Sequence, residues 1–138
     1  MAVDRWLISH FIFTHFKPFD TMRNFRKYDI WTDGIDFSIE IYRTTGSFPS
    51  DERFGLISQM RRAAVSIPSN IAEGASRKSN LEFSRFIEIS LGSSFELETQ
   101  LIISLQQKYI SSEAMSVLLP TLQSLQRRLN ALRNTLLD

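Results

Sequence analysis

The sequence of 138 residues contains no cysteine, few glycines (5) and prolines (4), and only two histidines. Without cysteine the chain forms no disulfide bond and has no thiol nucleophile, which agrees with a cytoplasmic location. The scarcity of glycine and proline argues against a turn-rich all-β fold and favours helices. There is no apolar run long enough to cross a membrane. The net charge of +1 gives no overall basic signal for nucleic acid.

Apolar and small residues recur in four segments at alternating steps of three and four, the spacing of one helix face. The first predicted helix covers Lys27 to Thr45, the second ends at Gly74, the third starts at Ser79, and the fourth runs from Ser111 or Ser112 to the C-terminus. The four stripes are Ile30, Gly34, Phe37 and Ile41; Ile57, Met60, Ala64, Ile67 and Ile71; Phe83, Ile87, Ser90, Ser94, Leu97 and Leu101; and Met115, Leu118, Leu122, Leu125, Leu129, Leu132 and Leu136.

Residues near the ends of these segments are typical helix caps. Ser50 is expected to cap the second helix, Pro68 to kink it, and Gly74 to end it in the left-handed conformation. Ser79 and Glu82 form a capping-box pattern at the start of the third helix. Four such helices with short connections predict an all-α fold, an up-down-up-down antiparallel four-helix bundle.

Residues 1–21 do not share this periodicity and contain both histidines, His10 and His15. A secretory signal is one interpretation, but polar residues interrupt the apolar stretch and no small-residue cleavage site follows. A metal site is another, but two histidines five residues apart lie poorly on one helix face, and two ligands rarely make a site. We therefore predict an N-terminal extension or a misassigned start before Met22, and a bundle domain over residues 22–138.

One long motif carries a family resemblance. It consists of RRAAVSIPSNIAEG (Arg61 to Gly74), a Ser-x-x-Glu-Phe pattern at Ser79, Glu82 and Phe83, and GSSFELETQL (Gly92 to Leu101). With this motif the chain resembles the four-helix-bundle family encoded in intervening sequences of bacterial 23S ribosomal RNA genes, from about Phe25 to the C-terminus. The resemblance implies the fold, but it implies no reaction, since the biochemical role of the family is poorly defined.

Charge alternates along the chain, so that the first and third predicted helices are acidic and the second and fourth are basic. In an up-down bundle, neighbouring helices then have opposite signs, which favours this arrangement over swapped ones. The basic residues include three adjacent pairs, which are the candidate nucleic-acid-binding residues: Arg61 and Arg62, Arg77 and Lys78, and Arg127 and Arg128.

Two of these pairs also have a purely structural interpretation. Arg61 and Arg62 are expected to form ion pairs or hydrogen bonds with Glu96 or Glu98 of the third helix, and direct RNA contact is the alternative. The pair at residues 77–78 follows the second helix in a loop, where the side chains are expected to be exposed and within reach of phosphate. Ordinary solvation is the alternative there.

The sequence gives no indication of an enzyme, a cofactor or a metal site. It has no Gly-rich phosphate loop, no metal-ligand cluster and no Ser/His/Asp arrangement. Ser90 and Ser94 are assigned to close helix packing, since a nucleophilic serine needs a base and the family-like region has no histidine. We therefore expect a non-enzymatic binding module that contacts RNA or a ribonucleoprotein, mainly because of the resemblance. The alternative is a homo-oligomeric protein-interaction scaffold without nucleic-acid binding.

Self-association is expected under both hypotheses. The third predicted helix carries apolar residues that point in several directions, and such a helix is buried on more than one side. A closed ring of subunits buries this excess. The resemblance implies a homo-pentamer, because related bundles that accompany retroelement reverse transcriptases are basic five-subunit barrels.

Overall fold

The computed structural model describes residues 5–15 and 23–138, and these ranges contain five α-helices and no strand. Short 3-10 turns precede the second and third helices. The helices are α1 (Arg5–His15), α2 (Asp29–Thr45), α3 (Leu56–Ala75), α4 (Asn80–Gln106) and α5 (Ser112–Leu137), and the turns are Phe25–Lys27 and Ser50–Glu52. The prediction of an all-α fold is therefore confirmed.

The hydrophobic core lies between α2, α3, α4 and α5, and the predicted stripes form it. Every stripe residue is buried except Ile57, Leu132 and Leu136, which are half-buried and pack against the core. Leu125 and its neighbours Leu122 and Leu129 are completely inaccessible to solvent. The periodicity therefore assigned the buried face of each helix correctly.

Contacts between buried polar groups and backbone carbonyls bring neighbouring helices close together. The Ser38 hydroxyl of α2 donates to the carbonyl oxygen of Ala64 in α3 at 3.0 Å. The Ser90 hydroxyl of α4 donates to the carbonyl of Ile67 in α3 at 2.8 Å. In addition, α5 packs against α4 and α2, so that each of the four long helices contacts two others.

The start of α3 differs from the prediction, whereas the start of α4 agrees with it. Ser50–Glu52 forms a 3-10 turn instead of the first turn of the helix. The helix begins at Leu56, whose amide donates to the Glu52 carboxylate at 2.9 Å, so that an acidic side chain lies at the positive end of the helix dipole. Ser79 caps α4 as expected, and its hydroxyl accepts from the Glu82 amide at 3.1 Å.

The expected role of Gly74 as a left-handed helix stop is wrong. Gly74 lies inside α3 and is buried, and no described glycine has a positive φ. Its function is close packing, since a Cβ built there would lie 2.5 Å from the Cβ of Phe86 in α4. The left-handed residue is instead Lys108, with a φ of 63°, just after α4. Pro68 lies inside α3, which continues through it to Ala75, and the expected kink stays a prediction.

The helix α1 lies outside the core. Its Arg5 forms ion pairs with Asp33 and Asp36 of α2, the latter at 2.8 Å, and its Trp6 and Leu7 are 67% and 62% exposed. Residues 1–4 and 16–21 of the predicted extension, and Met22 after it, lie outside the described residues. The division into an extension and a bundle domain stays a prediction.

Deletion of residues 1–21 is expected to leave a helical protein that unfolds cooperatively. Arg5 is 58% exposed in its side chain, and exposed ion pairs contribute about 0–1 kcal/mol. The core side chains all belong to residues 30–129. Circular dichroism and a thermal melt of the truncated and full chains test this prediction. Loss of the cooperative transition on truncation would contradict it.

Candidate nucleic-acid interface

The three predicted basic pairs do not form one surface. Arg61 and Arg128 are used in contacts between helices, whereas Arg62, Lys78 and Arg127 are exposed. Arg77 is exposed but held by neighbouring groups. The six candidate residues therefore differ in whether their charged groups are available to bind a ligand.

Arg61 links α3 to the C-terminal end of α2. Its Nε donates to Thr45 Oγ1 at 2.9 Å, its Nη2 donates to the Tyr42 carbonyl at 3.3 Å, and its guanidinium lies 4.6 Å from the centroid of the Tyr42 ring. The expected bond to Glu96 or Glu98 is therefore wrong for Arg61. The physical reason is the direction of the side chain, which α3 presents to α2 rather than to α4.

The two glutamates have other partners. Glu98 accepts hydrogen bonds from Gln123 and Gln126 of α5 at 3.0 and 3.2 Å, and Glu96 accepts from Gln100 in its own helix at 3.2 Å. Arg62 makes no ion pair with either glutamate. The opposite charges of α3 and α4 thus produce no ion pair between these helices within the described ranges.

The opposite charges of α5 and α2 do meet in an ion pair. Arg128 Nη1 donates to Asp33 Oδ2 at 2.7 Å, so this arginine joins the last helix to the first helix of the bundle. Its neighbour Arg127 is exposed on α5. Of this pair, Arg128 is held by Asp33, whereas Arg127 is exposed and forms no ion pair with a described residue.

The loop at residues 76–79 is joined to a basic segment that precedes α2. Arg23 Nη1 donates to the Arg77 carbonyl at 2.6 Å, and its Nη2 donates to Asn80 Oδ1 at 2.5 Å. The Arg23 guanidinium also lies 5.1 Å from the centroid of the Phe83 ring. Because these contacts connect residues more than fifty positions apart, they fix the start of the bundle against the α3–α4 loop.

The side chain of Arg77 is oriented by two neighbours. Its Nη2 lies 3.3 Å from Glu73 Oε1, and its guanidinium lies 4.7 Å from the centroid of the Phe86 ring. Lys78 beside it is exposed and has no such contact. The loop therefore presents one oriented guanidinium and one solvated ammonium group.

Together these contacts form a cluster of positive charge, here called the basic end. The Phe25–Lys27 turn packs against α2 and α3, and the Tyr28 ring packs against Phe83 at 6.0 Å, so the turn lies at the same end of the bundle as the loop. The basic end consists of Arg23, Arg26, Lys27, Arg77 and Lys78.

Three members of the basic end were not singled out from the sequence: Arg23, Arg26 and Lys27. The available signal was the sequence MRNFRK, a basic run immediately before the first helix of the bundle. In a bundle of antiparallel neighbours, the start of one helix lies beside the end of the next. The run was therefore a candidate neighbour of the α3–α4 loop.

Other candidate sites have structural roles or lack the necessary groups. The Ser94 hydroxyl donates to the Leu91 carbonyl at 2.6 Å, and Ser90 bonds to α3 as described above, so both serines act in packing. Across the described ranges, no three His, Cys, Asp or Glu side chains come together as a metal-binding group. No helix in these ranges is both long and apolar enough to cross a membrane.

Comparison with known proteins agrees with this architecture. A crystal structure of a protein of unknown function from the S23 ribosomal protein family of Bacteroides thetaiotaomicron aligns with 75% of this chain and 97% of its own, with a TM-score of 0.68 and 20% identity. At that identity the likeness shows the fold alone. No curated protein matches the chain. The family model described as "23S rRNA-intervening sequence protein" matches residues 26–131. The chain therefore belongs to the 23S rRNA-intervening sequence protein family.

Proposed function

We propose that this protein is a non-enzymatic binding module that contacts RNA, alone or in a ribonucleoprotein, through phosphate groups at the basic end. The observation that carries the proposal is the contact of Arg23 with the α3–α4 loop, which brings two distant basic segments together. The family name, which refers to 23S rRNA, supports RNA as the partner.

The chemistry of the basic end favours phosphate over bases. Arg77 presents a planar guanidinium suited to two phosphate oxygens, and Lys78 presents a mobile point charge. The aromatic rings beside them are covered, because Phe83 is completely buried and Phe86 lies beneath the Arg77 guanidinium. With no exposed stacking platform among these residues, binding is expected to depend weakly on base sequence.

The proposal includes the assembly and the arrangement of helices. We propose a cytoplasmic homo-oligomer, a pentamer, with no cofactor. The contacts of α2 with α3 and α5, and of α4 with α3 and α5, support an up-down-up-down antiparallel bundle. In an oligomer the basic end repeats on every subunit, so weak single contacts add by multivalency.

A protein-interaction scaffold is the second candidate function. A groove of ≈ 440 Å³ between α2 and α3 is lined almost entirely by apolar side chains. Exposed apolar residues also lie along α4, among them Phe95 and Ile102, which are 51% and 45% exposed. These surfaces favour protein contacts, and of the basic end only Arg26 borders them, through its place over the Phe25 ring.

Reversal of two charges at the basic end is expected to weaken RNA binding without unfolding the protein. The variant is Arg77→Glu with Lys78→Glu, and the measurement is a titration of structured RNA at several salt concentrations. Log affinity should fall linearly with log salt, with a slope of about −0.7 for each neutralised phosphate where the bound RNA is single-stranded. The variant should bind more weakly and show a flatter slope, since it has lost phosphate contacts.

A matched control carries the same change in charge at the opposite end of the bundle. Arg53→Glu with Lys108→Glu replaces two exposed basic residues there, and it should retain the parental slope. Equal affinities and slopes for the parent and the 77–78 variant would exclude the loop and leave Arg62 and Arg127 as the exposed candidates. No binding by the parent at low salt would contradict the RNA function and favour the scaffold.

A further inference from the structure

We propose that the groove between α2 and α3 receives the outer face of α4 from a second copy of this chain. The inference rests on the self-association proposed above and identifies the two surfaces that produce it. The α2/α3 groove is lined by residues that include Phe25, Trp31, Ile35, Tyr42, Val65 and Ala72. The α4 outer face consists of Leu81, Glu88, Gly92, Phe95, Glu96 and Ile102.

The α2/α3 groove is already formed in the single subunit. Tyr42 and Val65 are 47% and 41% exposed on its two sides, although both are large apolar residues. Arg61 fixes the position of Tyr42 through its bond to the Tyr42 carbonyl and its place over the Tyr42 ring. A partner helix therefore meets an ordered apolar surface.

The α4 outer face has a regular spacing that matches a helix packed lengthwise. Leu81, Glu88, Phe95 and Ile102 follow one another at intervals of seven residues, or two helical turns, so their side chains lie along one line. Leu81, Phe95 and Ile102 are all about half exposed. The three apolar side chains of this line, with Glu88 between Leu81 and Phe95, form a ridge of the kind that an apolar groove accommodates.

Gly92 lies in the middle of this face, and no contact within the subunit explains it. A Cβ built at Gly92 would meet no atom within 4 Å, whereas at Gly74 it would overlap Phe86. Glycine in a helix interior is destabilising relative to alanine. The close approach of a helix from another subunit gives this glycine a function, because it lets the two backbones come near each other.

The charges beside the two surfaces are complementary. Arg26 stacks on the Phe25 ring and Arg61 on the Tyr42 ring, so the border of the α2/α3 groove is positive. Glu88 and Glu96, with one basic neighbour, Arg85, leave the α4 outer face and its border with a net negative charge. Opposite charges on two apolar surfaces of the same chain favour a second copy as the partner, since each copy supplies what the other lacks.

The two surfaces belong to different sides of the subunit, so the contact is heterologous. When two subunits bind in this way, one groove and one α4 outer face remain free. Further subunits can add there, and the assembly closes into a ring when the rotation between neighbouring subunits allows it. Rotation about the axis of a ring keeps equivalent atoms at the same height. All copies of the basic end then form one circle, as a multivalent phosphate-binding surface requires.

The test is to inactivate each surface separately and measure mass by light scattering on the full chain. Val65→Arg alters the groove and Phe95→Glu alters the α4 outer face, and both positions are exposed in the subunit. Each variant alone should be monomeric while keeping its helical circular dichroism. An equimolar mixture should have twice the subunit mass, because one intact groove and one intact α4 outer face remain. Val117→Glu, at an exposed apolar position of α5, is the control and should keep the parental mass.

The outcomes separate the interface from the self-association on which it rests. A parent that is monomeric at micromolar concentration would overturn self-association itself. If the parent is oligomeric, parental mass in either single variant, or a mixture that stays monomeric, would overturn the groove-to-α4 contact. Gly92→Gln should also lower the mass without reducing the helical content of the subunit, and parental mass in that variant would overturn the close approach at Gly92.

Discussion

Replacement of Leu125 by aspartate is expected to unfold the bundle or reduce its stability severely. Leu125 is completely buried in the core, in the middle of α5. The change removes the burial of a leucine side chain, which contributes about 1.5–3 kcal/mol, and places a carboxylate without a partner in an apolar site. The combined loss of several kcal/mol is comparable to the whole stability of a small domain, about 5–15 kcal/mol.

The measurement for this substitution is thermal or urea denaturation followed by circular dichroism. The matched control is Val117→Asp, which introduces the same carboxylate on the same helix at a position that is 67% exposed. The control should change the free energy of unfolding by no more than about 0.5 kcal/mol. A melting temperature of Leu125→Asp within about two degrees of the parent would place this stripe outside the core.

Substitution of Gly74 by valine is expected to have the second largest effect. The α3–α4 contact leaves no room for a side chain, since a Cβ at this position would lie 2.5 Å from Phe86 Cβ and 2.9 Å from Phe83 Cδ1. The first of these atoms is attached directly to the α4 backbone, so rotation of a side chain cannot relieve the overlap. The helices must separate, and overpacking of this kind costs about 1–3 kcal/mol or more.

The neighbouring position provides the control for Gly74→Val. Glu73 is exposed in the same turn of α3, so Glu73→Val introduces the same residue without steric overlap. It should cost no more than about 1 kcal/mol, from the lower helix propensity of valine and the loss of the exposed ion pair with Arg77. Equal losses of unfolding free energy in the two variants would attribute the effect to valine itself and contradict close packing at Gly74.

The different positions of the basic residues matter for the interpretation of the RNA titration. Arg61 and Arg128 hold α2 against α3 and α5, so their substitution perturbs the fold as well as any ligand contact. Lys78 and Arg127 are exposed, and their substitution reports on a ligand alone. Variants of the exposed residues are therefore the better test of the RNA hypothesis.

Gly74 and Gly92 have opposite packing environments within the subunit. Both lie inside helices, although the sequence predicted that Gly74 would end its helix. The structure places Gly74 against Phe86 and leaves the space beside Gly92 open. Close packing within the subunit therefore accounts for the first, and the proposed contact between subunits accounts for the second.

The sequence by itself determined which face of each helix is buried. Burial requires only that apolar residues recur with the period of the helix, and this period is a local property of the chain. Ser90 was therefore assigned to packing correctly although it is polar, because it stands in line with Phe83 and Leu97. The cap at Ser79 is equally local, since a hydroxyl at this position reaches an amide three residues later.

Only the tertiary structure decided which neighbour each side chain meets. Periodicity fixes the face of a helix, but the rotation and the axial position of the neighbouring helix depend on contacts far apart in sequence. For this reason Arg61 bonds to Thr45 instead of Glu96, and Arg23 meets the loop at Arg77. The role of Gly74 was predicted wrongly for the same reason. Its contact with Phe86 depends on how α3 and α4 pack together, which the sequence of either helix alone does not show.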